Sequence, residues 1–239
     1  MKLLALFVAS SIPSTLALVQ HDWSFDTAPA GGFDDISFPI NMVNAPHARG
    51  FYFAQQFSFE GVKNVAYTGL QPQADAKGKP IIHALFSTFQ GGSTTSDKNC
   101  HQGADGGAGV SCAIEIPASY EDTYHLKVQH VQGTTWRGYL INKSGRGAEM
   151  KIGEWTLPQG AGKLQSSQIG FVEYFPWNSK PSHKCGDLPR TEVTFGYPLS
   201  SSDVSGGKIK EPYENGDCVG KVAFSDKGMK RTWRVNVGF

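Results

Sequence analysis

The chain has 239 residues, with 28 glycines and 12% aromatic side chains, and its 22 basic and 21 acidic residues leave a formal net charge of +1. It has no basic block and no acidic tail, which excludes the clustered Lys and Arg that phosphate recognition needs, and so argues against a nucleic-acid partner. No stretch approaches the roughly 20 apolar residues of a membrane-spanning helix, so no membrane role is expected.

The first feature in chain order is an export signal. Lys2 precedes an apolar run over residues 3–9, and Thr15 and Ala17 occupy the −3 and −1 positions of a cleavage site. Residues 1–17 read as a signal peptide, and residues 18–239 as a single secreted, extracellular domain. Residues 18–44 read as a segment wrapping that domain. Were Gln20 removed as well, His21 would become the terminal residue and a candidate copper ligand, but no second-histidine motif accompanies it.

From residue 51 onward the apolar pattern alternates with period two and helical periodicity is missing. Strands are predicted over residues 51–59, 64–70, 80–89, 124–132, 134–142, 150–157, 168–174, 192–197, 219–224 and 232–238. Gly133 marks a tight hairpin and residues 143–147 the next connection. Many short strands between turn residues indicate an all-β antiparallel sandwich, jelly-roll or concanavalin-like, with no internal repeat.

Two long loops are expected, over residues 91–111 and 201–216. Cys100, Cys112, Cys185 and Cys218 are even in number, as suits disulfides in an oxidising compartment. Pairing Cys100 with Cys112 and Cys185 with Cys218 closes a Gly-rich and a polar loop, although four cysteines allow three connectivities. Zinc is the rival reading, but C-x-x-C spacing is absent. Asn142-Lys143-Ser144 is an N-glycosylation sequon.

The order of motifs then resembles a known family. Phe51-Tyr52-Phe53, Gln55-Gln56-Phe57, Tyr67-Thr68-Gly69-Leu70-Gln71 and Leu85-Phe86-Ser87 come first. The Gly-rich loop Gly103-Ala104-Asp105-Gly106-Gly107, the pair Tyr124–Val128 and Trp136–Leu140, and Gly170-Phe171-Val172-Glu173-Tyr174-Phe175 follow. Across residues 51–177 this is similar to the secreted family catalogued as domain of unknown function 3472. Where that family's Gly-rich loop carries a glutamate, this chain offers Gln102 or Asp105. The resemblance implies a secreted jelly-roll-like domain, often found with carbohydrate-active neighbours, and brings no established activity.

Glu173 is the main candidate for chemistry. In strict alternation it shares a face with Phe171 and Phe175, while Val172 and Tyr174 point the other way. A carboxylate among aromatics is costly to desolvate and tends to hold its proton more tightly. Such groups suit acid/base work or the binding of sugar hydroxyls, and the structural alternative is an internal salt bridge to Arg137. A glycosidase needs a second carboxylate, for which Asp122, Glu115 and Glu154 are available.

A polysaccharide lyase could instead combine His125 or Tyr139 as base with Arg137 against a uronate. Gln71, Trp136, Tyr174 and Trp177 are the candidate ligand-binding residues, since aromatic faces stack on sugar rings, with one or two of Trp136, Tyr139, Tyr174 and Trp177 expected at the surface. No cofactor is required, although Asp97, Asp105 and loop carbonyls could hold calcium. The favoured reading is a monomer that binds a polysaccharide or cell-wall glycan. A polysaccharide lyase or hydrolase built around Glu173, and a secreted effector or elicitor acting on a host, are the alternatives.

Overall fold

Side chains that alternate between a shared interior and the two outer surfaces organise the computed structural model, which describes residues 17–144, 147, 149–180, 182–203 and 206–239. One sheet contains β1 (Ala17–Ser24), β3 (Phe51–Phe57), β4 (Ala66–Ala76), β5 (Lys79–Thr88), β6 (Cys100–Ala104), β7 (Gly107–Pro117), β11 (Ser167–Tyr174) and the short β13 (Lys208–Ile209) and β14 (Tyr213–Glu214). The other contains β2 (Asp35–Asn41), β8 (Thr123–Gln132), β9 (Thr135–Asn142), β10 (Glu149–Thr156), β12 (Thr191–Gly196), β15 (Ser225–Met229) and β16 (Thr232–Val237).

The first sheet runs β13-β1-β11-β3-β4-β5-β7-β6, with β14 also on β1, and the second runs β10-β9-β8-β2-β12-β16-β15. The pairing is antiparallel throughout, so the all-β antiparallel sandwich is as expected. The only helical turns among the described residues are Phe175–Trp177 and Cys185–Asp187, and none of its helices is long and apolar enough to cross a membrane.

Aromatic side chains fill the space between the sheets. Phe86 of β5 stacks on Trp155 of β10 at 4.5 Å between ring centroids, and Phe59 lies 4.8 Å from Trp136 of β9. Gly138 permits this approach, because a Cβ there would overlap the Phe86 ring. Rings of this size each bury a large apolar area between the two sheets.

Several expectations about individual segments are corrected. Residues 18–44 do not wrap the domain: they supply β1 and β2, one strand to each sheet. β1 is hard to read because His21 occupies an inward position, where its ring lies 4.6 Å from Phe195. The side-chain amide of Gln55 approaches His21 Nε2 at 3.1 Å, and burial pushes the imidazole down to about 4. His21 lies within β1, in register with Gly170 of β11.

Residues 91–111 are not one loop, since β6 and β7 form a hairpin through Asp105 and Gly106, both at positive φ. Asp-Gly at such a two-residue connection is a strong hairpin signal. Residues 219–224 are turns and bends rather than a strand. The polar segment 201–216 also contributes β13 and β14 to the edge beside β1. The signal peptide falls, apart from Ala17, outside the described residues.

Both expected disulfides are present. Cys100 and Cys112 are register partners in β6 and β7, and Cys185 bonds to Cys218. His183 lies beside the second bridge, but both sulfurs are committed to each other, which removes zinc from that cluster. The Cys185–Cys218 bridge spans 33 residues, and the chain-entropy model gives such a closure about 4 kcal/mol. Replacing both cysteines by serine is expected to lower the denaturation free energy by that order in a urea titration, with the sheets still formed by circular dichroism.

Candidate functional site

The outer face of the nine-stranded sheet carries a second, smaller buried cluster. On β11, Val172 and Tyr174 point into the main core, which leaves Phe171 and Glu173 on the outside. On β3, Phe51, Phe53 and Phe57 point inward and Tyr52 and Ala54 outward. Tyr67 of β4 and Ala17 of β1 complete the cluster, flanked by Leu85, Phe89 and Phe175. Gly69 lets the Tyr52 ring lie across the sheet, since a Cβ there would come within 2.6 Å of it.

Register places the polar groups. Glu173 faces Ala17 on one side and Tyr52 on the other, and directly opposed residues of neighbouring strands hold their Cβ atoms about 5 Å apart. Glu173 is 5% exposed. Burial raises its pKa, a 2.7 Å hydrogen bond donated by the Asn178 amide offsets part of this, and the Asp105 charge adds to the rise. Asn178 is exposed, so the carboxyl lies one side chain beneath the surface.

Two phenols share the cluster. Tyr67 donates a 2.6 Å hydrogen bond to Asp105, carried over the sheet by the β6–β7 turn. Burial raises the pKa of both phenols, helped by Asp105 and Glu173, so both remain protonated donors at neutral pH. The Tyr52 hydroxyl is buried and has no hydrogen-bond partner among the described residues. The site therefore combines a carboxyl inclined to hold a proton, a donor not otherwise engaged, and a second carboxylate behind Tyr67.

The structure divides the residues singled out from sequence. Glu173 and Gln71 lie on this face; Gln71 is half-buried and opposes His83 of β5. His125, Arg137 and Tyr139 lie instead on the outer face of the other sheet, with the core between them and Glu173. Arg137 bonds to Glu154 and to the Tyr139 hydroxyl at 3.0 Å, so the anticipated Glu173–Arg137 pair is replaced by the Asn178 contact. His125 is pushed down to about 4 by burial and the nearby Lys143.

Trp136 is buried in the core and Trp177 is buried against His183, with rings 4.2 Å apart. Tyr174 and Tyr139 are half-buried, so none of the four aromatics stands fully exposed. Trp177 and Tyr174 border a shallow depression with Lys180 and Lys184. Asp97 binds Lys151 at 2.7 Å, while Asp105 sits at the far end of β6 on Tyr67. The two carboxylates considered as possible calcium ligands thus have different partners at opposite ends of β6. Asn142 ends β9, its side-chain amide donating to Asp122 at 2.7 Å.

Tyr52, Tyr67 and Asn178 were not singled out from sequence. Outward alternation from the Phe51, Phe53, Phe57 series locates Tyr52. The Asp-Gly turn is what brings Asp105 to Tyr67, and Asn178 lies beyond any strand pattern.

No family model matches this chain, and no curated protein matches it. Solved structures do. A Scytalido-glutamic peptidase with a peptide-based transition-state analogue is 12% identical at a TM-score of 0.50, over 95% of this chain and 100% of that one. SCP-B, a member of the eqolisin family of peptidases in complex with the tripeptide Ala-Ile-His, is 11% identical at a TM-score of 0.45, with the same coverage. At this identity, the likeness to the glutamic peptidase is one of fold.

The raised pKa of Glu173 has a defined thermodynamic sign. The folded state binds this proton more tightly than the unfolded state does, so the group adds stability in acid that is lost as pH rises past its ordinary value of 4.5. In a chain that retains residue 17, Glu173→Gln is expected to raise Tm at pH 7, and the gain should vanish below pH 4.5. Thermal melts of the two proteins across that range measure the difference.

Proposed function

We propose that this protein is a secreted acid–base hydrolase that acts on peptide bonds through Glu173. The observation that carries this reading is the register pair Glu173–Tyr52, a buried carboxyl facing a buried phenol that has no hydrogen-bond partner among the described residues. The sandwich it shares with a glutamic peptidase supports the choice of substrate class. Export is supported by the leader pattern and by two disulfides, which persist in oxidising compartments.

In the proposed reaction, ionised Glu173 takes a proton from water as the water oxygen bonds to the scissile carbonyl carbon. The Tyr52 hydroxyl donates a hydrogen bond to the developing oxyanion. The C–N bond then breaks, and Glu173 returns its proton to the leaving amine, restoring the carboxylate. Asp105 holds the Tyr67 phenol beside this pair and, as a second negative charge, favours the protonated form of Glu173.

A second reading is glycan binding on the same face, favoured by Gln71 and His83 in adjacent register next to the aromatic cluster. Amides and imidazoles bind sugar hydroxyls, and the resemblance to the family of domain 3472 agrees with this setting.

Incubating the secreted protein with denatured protein substrates from acid to neutral pH, with products read by mass spectrometry, tests the first reading. Peptide cleavage is expected, with Glu173→Gln reducing it by about 10²–10⁴-fold and Tyr52→Phe by about 10²–10³-fold. No cleavage by the wild type, or undiminished cleavage by Glu173→Gln, rejects it. Retention on an insoluble polysaccharide that is lost in Gln71→Ala but kept in Glu173→Gln would favour binding instead.

A further inference from the structure

The start of β1 places a processing junction inside the site. Ala17 is 1% exposed, belongs to the outer-face cluster with Tyr52, Tyr67 and Phe171, and is the register partner of Glu173. The leader pattern puts the cut between Ala17 and Leu18. Removing the leader therefore takes one residue out of the cluster and leaves a new α-amino group at Leu18.

That terminus is held on both sides. The Asn215 backbone N–H donates to the Leu18 carbonyl at 2.9 Å, Val19 pairs with Val172 of β11, and Val19 and Gln20 pair with Glu214 and Tyr213 of β14. With residue 17 in place Leu18 is 4% exposed. The strand pairing on both sides keeps the new terminus beside β11, and an ammonium partly withdrawn from water gains from an opposite charge. β11 supplies one, because Glu173 lies immediately beyond Val172.

We propose that the mature amino terminus is a positioning group of this site: after leader removal the Leu18 α-ammonium pairs with the Glu173 carboxylate, and the chain retaining Ala17 lacks that pair. The inference rests on the leader reading and on the place of Glu173, not on peptide hydrolysis. The charged and titratable groups around the pair are Asp105 and Tyr67 from the far side of the cluster, Tyr52 from β3, Glu214 from β14, and Arg49, whose guanidinium lies over the Phe175 ring at 5.6 Å. Of the carboxylates, Glu214 is the competitor, and its side chain already accepts a hydrogen bond from the Gly220 N–H.

The test compares two forms of the protein, the secreted chain and one that keeps residues 14–17. Mass spectrometry of the secreted chain should give Leu18 as the first residue. Side-chain ¹³C NMR, with the Glu173 resonance assigned through Glu173→Gln, should show that carboxyl titrating about 1–3 pH units lower in the mature form. Acetylating the mature terminus should undo the shift, which keeps the test decisive if the extended chain folds poorly. Glu173→Gln should also change sign, raising Tm at pH 7 with residue 17 present and lowering it in the mature chain. A different first residue, coincident titrations that acetylation does not move, or a Leu18 amine whose own titration responds to Glu214→Gln and not to Glu173→Gln overturns the proposal. Each is read without reference to catalysis, so loss of the hydrolase reading and loss of this one are separate results.

Discussion

The strict in–out alternation of β11 is the constraint on which the site depends. A strand in the middle of a sandwich sheet has an inner face already committed to the core, here through Val172 and Tyr174. Phe171 and Glu173 must then lie outside. Neighbouring strands obey the same rule, so Tyr52 and Ala54 come from β3 and Tyr67 from β4. Aromatic side chains on an outer face bury one another, and a carboxylate standing among them is desolvated although it lies outside the main core.

That desolvation sets the chemistry. Glu173 would be ordinary if its neighbours were small, because water would solvate the charge. Tyr52 and Phe171, and Ala17 in the chain that retains it, exclude water, while Asn178 provides one hydrogen bond. The main core deals with its own polar pair differently. His21 and Gln55 are both fully buried, but they bond to each other and the imidazole stays neutral. The polar group inside the core is thus neutralised, whereas the one on the outer face keeps the capacity to exchange a proton.

The two outer faces have different electrostatic characters. On the seven-stranded sheet Arg137 is satisfied by Glu154 and Tyr139, a closed arrangement of side chains on adjacent strands. On the nine-stranded sheet Glu173 and Asp105 are both acidic, and neither has a cationic partner among the described residues. This asymmetry favours the Glu173 face as the place where an additional positive group, or a substrate, would be accommodated.

The sequence by itself determined the fold class, most strand positions from residue 51 onward and the sharing of one strand face by Glu173 and Phe171, and it made the observed cysteine pairing the expected one of three. These rest on local rules of period-two alternation, turn residues and cysteine arithmetic. It could not reveal that Arg137 and Glu173 belong to opposite faces, because alternation assigns a side to each strand without saying which sheet the strand joins. It also hid β1, where the inward His21 breaks the apolar pattern, and the association of Asp105 with Tyr67, which depends on a turn folding back over strands distant in sequence. Only the tertiary structure decided that Ala17, Glu173 and Tyr52 stand in one row, since cross-strand register between residues far apart in the chain is set by packing of the whole sandwich.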